Sequence, residues 1–154
     1  MSIRTATQED VTAFYAKAMM DDKVAPYLFI DTHIAVPTLT TYSNGWYEIY
    51  LVNDQISCLG HVSIDRAAMN DVTISIFALD SNRFNAGRMI KEIERYLKQI
   101  NPRSINGKCA ESNEDSYNML NKMLGRPWGI EERSTYNSIT KTWEGCWYFI
   151  KVIY

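Results

Sequence analysis

Val72–Leu97 reads VTISIFALDSNRFNAGRMIKEIERYL. Its first part, Val72–Leu79, is β-branched and aromatic, the composition of a strand. After Gly87 the period changes. Met89, Ile90, Ile93, Tyr96, Leu97 and Ile100 recur at helical spacing and make one apolar stripe. A strand therefore hands the chain to a helix through a turn with one glycine. The start of a helix leaves backbone N–H groups unpaired and carries about half a positive charge. Such a turn can cradle a pyrophosphate. A glycine there also has a plainer explanation, the conformation of the turn itself.

Working outward from this junction, Trp46–Val52 (WYEIYLV) and Ile56–Ile64 (ISCLGHVSI) are strands. Asn53-Asp54-Gln55 joins them, and RAAMND leads on to Val72, so they form an antiparallel meander. Further upstream, Ser2–Ala6 alternates like an edge strand. Thr7 and Asp10 form a variant capping box, and Val11, Phe14, Tyr15, Ala18 and Met19 have helical spacing. DDKVAPYLFI predicts a second short helical piece interrupted by Pro26, and Asp31–Gly45 a long Thr-rich loop. Downstream, Pro102 stops the helix, Ile105–Ala110 is a short strand, and Asp115–Leu124 is a helix capped by Gly125. Arg133–Ile139 and Cys146–Ile153 predict a final hairpin across TKTWEG. The order predicts an α/β (α+β layered) domain. Its mixed, mostly antiparallel sheet has six to seven strands, flanked by about four helices. No linker, repeat or low-complexity run divides residues 1–154, which read as one domain.

The composition, 46% apolar and 22% charged, is that of an ordinary globular chain. A net charge of −2 supplies no basic field, so nucleic acid is an unlikely partner. The three cysteines, Cys58, Cys109 and Cys146, have no CxxC spacing. With only His33 and His61 beside them they match no zinc pattern, so no metal is expected. They read as reduced and buried, which suits a cytoplasmic protein. The polar N-terminus is not a signal peptide, and no stretch approaches the roughly 20 apolar residues of a membrane helix.

The order of elements resembles the GNAT superfamily of acyl-CoA-dependent N-acyltransferases. In that family the strand–helix turn has the pattern Gln/Arg-x-x-Gly-x-Gly/Ala, which falls here on NRFNAG. Asn82 stands where Gln or Arg is usual, Asn85 stands at the middle Gly, and Gly87 matches. A second pattern, Asn-x-x-Ala before a helix, falls on Asn113, with Ser116 in place of Ala. The family's Tyr, four residues further on and acid to the departing thiolate, falls on Leu120. Tyr117 lies one turn earlier. These departures resemble small phage-encoded GNAT-like proteins, some of them virion-associated.

The resemblance implies a GNAT-like fold, acetyl-CoA as co-substrate and direct transfer of acetyl to an amine. The acetyl-CoA contacts it implies are Phe77, Leu79, Asn82, Asn85, Ala86, Gly87, Arg88, Asn113 and Ser116. The rival expectation is a catalytically inactive protein of the same fold, acting on a host or virion protein in host cytoplasm or virion.

Transfer from a thioester to an amine needs a proton acceptor for the amine and a hydrogen-bond donor for the thioester carbonyl. The leaving thiolate, with a pKa near 8–9, depends least on an acid. His61 and Glu111 are the leading base candidates, with Asp71 and His33 behind them. Cys109 reads as a buried small hydrophobe rather than a nucleophile. Trp128, Trp143, Trp147, Tyr148 and Phe149 make an aromatic cluster that serves hairpin packing or, where exposed together, a partner surface.

Overall fold

A computed structural model describes residues 2–27, 45–52, 55–65, 71–79, 83–137 and 141–153. His33 and most of the Thr-rich stretch, the turn residues 53–54 and 66–70, and Asn82 lie outside them. The chain order is β1 (Ser2–Thr5), α1 (Gln8–Ala18), a 3₁₀ turn (Ala25–Tyr27), β2 (Gly45–Val52), β3 (Gln55–Asp65) and β4 (Asp71–Ala78). Then follow α2 (Arg83–Ile100), β5 (Ser104–Ala110), α3 (Glu114–Leu124), β6 (Gly129–Asn137) and β7 (Thr142–Val152). The strands form one seven-stranded sheet, in the order β1-β2-β3-β4-β5-β7-β6. Only β4–β5 is parallel.

Two layers of helix sandwich the sheet. Alternation along β3 divides its side chains between them. Cys58 and Val62 join the core under α2 and α3, with Met89, Ile93, Leu97 and Leu120. Leu59 joins the core under α1, with Val11, Phe14 and Ala18. The stripe read on α2 faces the first core: Met89, Ile93 and Leu97 are buried. The Thr7 box forms as expected, with Asp10 N–H donating to Thr7 Oγ1 at 3.2 Å and Thr7 N–H to Asp10 Oδ2 at 2.8 Å.

The helical piece at DDKVAPYLFI is described as far as Tyr27 and includes a 3₁₀ turn at Ala25–Tyr27; three α-helices appear among the described residues. Two expectations need correction. Helix α2 begins at Arg83, one turn before Gly87, where the change of period places its start. The final hairpin is longer than predicted, because Thr142–Gly145 belong to β7 and Gly129–Glu132 to β6. A bulge between Glu131 and Thr135, with Arg133 at φ 50°, breaks the period-two alternation that would have revealed β6. No described helix is long and apolar enough to cross a membrane.

The feature that positions the site is the β4–β5 pair. These strands pair only at Val72–Ile105 and Thr73–Asn106. Beyond that they diverge, while β4 stays in register with β3 as far as Ala78–Cys58 and β5 with β7 as far as Ala110–Cys146. The result is a V that opens toward the carboxyl ends of two parallel strands, each arm held by its outer neighbour.

Candidate active site at the splayed strands

Crevices outside the carboxyl ends of parallel strands are where open α/β sheets receive ligands. Along the V, alternate backbone N–H and C=O groups of Ile74–Ala78 and Gly107–Ala110 have no strand opposite. They offer the donors and acceptors that an extended amide-containing arm or a thioester carbonyl requires.

At the tip of the β4 arm, Leu79 N–H donates to Ser57 O at 2.8 Å, and its side chain packs against the α1 core. Phe77 lies opposite Leu59 in the β3–β4 register. Helix α2 then begins. Its first four N–H groups, those of Arg83–Ala86, have no partner within the helix. Asn85 and Ala86 therefore contribute backbone donors. No acidic side chain in this turn offsets the positive end of the dipole. Gly87 follows inside the helix, where glycine is about 1 kcal/mol less favourable than alanine. A Cβ built on Gly87 meets nothing within 4 Å, so no packing contact calls for glycine here. Arg88 beside it is exposed.

At the tip of the β5 arm, Asn113 caps α3. Its Oδ1 accepts from Ser116 N–H at 3.3 Å, and its own N–H donates to Ala110 O at 2.9 Å. The cap occupies the side-chain oxygen and leaves the amide NH2 for another acceptor. Glu111 is exposed at the arm's end, where its N–H donates to Gly145 O at 2.9 Å. His61 sits in register with Tyr47 and Ser75, so its strand is separated from the V by β4.

Leu120, where the resembling family has its Tyr, is 2% exposed. A Cβ on Gly107 would lie 2.6 Å from its Cδ2, so α3 reaches β5 over a glycine and Leu120 fills the space. Tyr117 stacks edge-on against Trp147 and Phe149, at 5.7 and 5.5 Å between ring centroids. That places it toward β7, on the side of β5 away from β4, so it does not plug the V.

Two weighed residues are structural. Asp71 takes a bidentate pair of hydrogen bonds from Arg103 at the closed end of the V. The Arg103 hydrogen bonds and charge, with help from Ser104, hold its carboxyl below the usual range against a desolvation that opposes them. Cys109 is buried, and burial, reinforced by the neighbouring Cys146, pushes its thiol up to about 12. Burial likewise pushes Cys58 to about 12, so neither supplies a thiolate near neutral pH. The aromatic cluster divides: Phe149 is buried, whereas Trp128 is 81% and Trp143 51% exposed.

One group of residues gives no signal in the sequence. Ser112, just past β5, donates from N–H and Oγ to the carboxylate of Glu144 on β7, at 3.0 and 2.8 Å to Oε1. Tyr27 Oη lies 3.0 Å from Ser112 Oγ. Tyr27 and Ser112 are 85 residues apart, and Glu144 falls in a stretch that reads as a turn, so only the folded chain joins them.

A curled, mostly antiparallel sheet that splays at its one parallel pair, with helices on both faces, is the fold of the GNAT N-acetyltransferases. No protein-family model and no curated protein matches the sequence. Solved structures do match in shape. An N-acetyltransferase from Staphylococcus aureus Mu50 superposes with a TM-score of 0.76 at 16% identity, over 98% of this chain and 97% of the other. A ribosomal-protein-S5-alanine acetyltransferase from Vibrio fischeri gives 0.74 at 17%, over 97% and 91%. An acetyltransferase of the GNAT family from Streptococcus pneumoniae gives 0.72 at 14%, over 99% of each chain. At these identities the likeness establishes the fold.

Proposed function

We propose that this chain is an acyl-CoA-dependent N-acetyltransferase that passes acetyl from acetyl-CoA directly to an amine. The observation that carries it is the V itself, which ends at a helix start, whose first N–H groups have no partner within the helix, beside a glycine whose outer face is open. The pyrophosphate sits at the start of α2 on Asn85, Ala86 and Gly87, with Arg88 beside it; Asn82, the other contact read from the sequence, lies outside the described residues. The pantetheine arm lies along the V past Phe77 and Leu79, with the Asn113 amide and Ser116 on the opposite lip. A β4 N–H facing the V polarises the thioester carbonyl. Glu111 and His61 are the side chains read from the sequence as proton acceptors. Leu120 in the core gives no acid to the thiolate, which lowers the rate without stopping the reaction.

Asn82 and Asn85 in place of the family's usual residues remove hydrogen bonds of about 1 kcal/mol each, so affinity is tenfold or more weaker than a full motif gives. Titration calorimetry with acetyl-CoA and CoA is the direct test. Micromolar binding, followed by acetylation of an amine, is the expected outcome. No heat at millimolar ligand would reduce Gly87 to an ordinary helix residue.

The second reading is a non-catalytic protein of this fold that docks on a host or virion protein. The exposed Trp128 favours it. Retention of such a partner by immobilised wild-type protein but not by Trp128→Ser, together with no acetyl-CoA binding, is its signature.

A further inference from the structure

Tyr27, Ser112 and Glu144 come from three separate elements and meet at the tip of the β5 arm. The direction of their hydrogen bonds follows from counting protons. An ionised carboxylate only accepts. Ser112 has one hydroxyl proton and lies within 2.8 and 3.0 Å of the two Glu144 oxygens, so that proton points at Glu144. Ser112 Oγ can then only accept from Tyr27, whose hydroxyl therefore donates. The chain runs one way, from Tyr27 O–H through Ser112 O–H to the Glu144 carboxylate. Among the described residues, nothing donates to the Tyr27 oxygen.

The location suits an acceptor. By alternation Glu144 lies on the face of β7 that carries Cys146, opposite the face where Trp147 and Phe149 meet α3. That face is α1's side of the sheet, and Tyr27 reaches it from the 3₁₀ turn after α1. An acyl donor anchored at the start of α2 enters the V from the α2–α3 side. The amine must then approach from the other side, where Tyr27 stands.

We infer that Tyr27, Ser112 and Glu144 form a proton relay that takes the proton of the acceptor amine. The relay rests on the acetyl transfer proposed above. As the amine nitrogen bonds to the thioester carbon, its proton passes to the Tyr27 oxygen. The Tyr27 proton passes to Ser112 Oγ, and the Ser112 proton to Glu144. The C–S bond then breaks with its electron pair on the CoA sulfur. Glu144 returns its proton to solvent, from which the thiolate is neutralised. While Glu144 holds the proton on Oε2, Oε1 keeps the 3.0 Å bond from Ser112 N–H, so the site does not come apart during the cycle.

The test is steady-state acetyl transfer, read as CoA thiol release. The acceptors are spermidine, a peptide with N-terminal alanine and a lysine-bearing peptide. Rates are measured in H2O–D2O mixtures for wild type, Tyr27→Phe, Ser112→Ala, Glu144→Gln and Glu144→Asp, with acetyl-CoA calorimetry alongside. In wild type the rate should fall along a curve as D2O replaces H2O, the mark of several protons moving together. Tyr27→Phe and Glu144→Gln should lower kcat about a hundredfold or more and straighten the curve, with acetyl-CoA affinity unchanged. Glu144→Asp should recover part of the rate.

An active wild type with kcat in both variants within about threefold of it overturns the relay and leaves acetyl transfer standing, with Glu111→Gln and His61→Gln next to be measured. Lower melting temperature and weaker acetyl-CoA binding with an unaltered isotope curve would make the three residues a clamp and overturn the relay. A wild type that neither binds acetyl-CoA nor acetylates any of the three acceptors overturns the transferase function, and the relay with it.

Discussion

The two ends of the β4–β5 pair are built for opposite purposes. At the closed end polar side chains bond to the protein itself. Two residues on each strand pair, Asn106 Nδ2 donates to Val72 O at 3.0 Å, and Arg103 grips Asp71. At the open end the same two strands run on unpaired, and the helices that follow them begin there. The difference teaches that side chains reinforce the strand pairing at one end only, and that the pairing stops where they do. Asp71, Arg103 and Asn106 reinforce the pairing at one end, and beyond Thr73 and Asn106 the backbone groups that face the V have no strand opposite.

The largest expected effect is at the open end. Gly87→Trp should weaken acetyl-CoA binding a hundredfold or more. Its melting temperature should stay close to wild type, because the added side chain meets no heavy atom within 4 Å of its Cβ. Gly87→Ala sharpens the point. Helix propensity should raise stability by about 1 kcal/mol while the methyl crowds the phosphate and lowers affinity. A residue that is worse for the helix and better for the ligand is what a binding turn requires. Calorimetry and thermal melting on both variants separate the two effects, and unchanged affinity in Gly87→Trp would sink the phosphate assignment.

Next is the arm itself. Gly107→Val places a methyl-bearing carbon against Leu120, where 2.6 Å is already too close. Overpacking of this kind destabilises by about 1–3 kcal/mol. Chemical denaturation should show that loss, and Leu120→Ala in the same chain should recover part of it, since contacting residues do not add independently. Full additivity would mean that α3 is not held at this point. A smaller loss, about 1 kcal/mol, is expected for Asn113→Ala through the missing cap. If the Asn113 amide also holds the pantetheine, acetyl-CoA affinity falls as well. A change in melting alone makes it a cap only.

Much of this comparison was legible before folding. The stripe from Met89 to Ile100, the meander and the Thr7 box are local patterns, and each appears where its period or spacing places it. Helix α2 starts a full turn ahead of Gly87, because a glycine inside a helix weakens it without ending it. Strand β6 was half hidden because Glu131, Glu132 and Arg133 sit at a bulge, where alternation fails. The V was not legible, since no residue type announces that two strands stop pairing. The Tyr27–Ser112–Glu144 chain was not legible at all. Serine, tyrosine and glutamate are common surface residues, and their meaning here comes from a contact 85 positions long.

The smallest effect belongs to the closed end and tests whether the two ends are independent. The Arg103 side chain is 51% exposed and that of Asp71 20%, so solvent screens their pair. Hydrogen bonding and charge from Arg103 still lower the Asp71 pKa in the folded chain. A carboxyl whose folded pKa lies below its unfolded value, about 3.9, contributes stability above that value and loses it as pH falls through the folded one. Arg103→Ala should therefore lower the melting temperature slightly at pH 7, and the deficit should shrink and vanish as the buffer is made strongly acidic. A deficit independent of pH would mean that packing of the Arg103 stem, not its charge, supports this end. The same variant at pH 7 should bind acetyl-CoA as wild type does, because the unpaired groups of the open end lie beyond Thr73 and Asn106, where the remaining pairing still fixes the angle. If affinity falls with the melting temperature, the angle of the V depends on the salt bridge, and the closed end is part of the binding site rather than only its support.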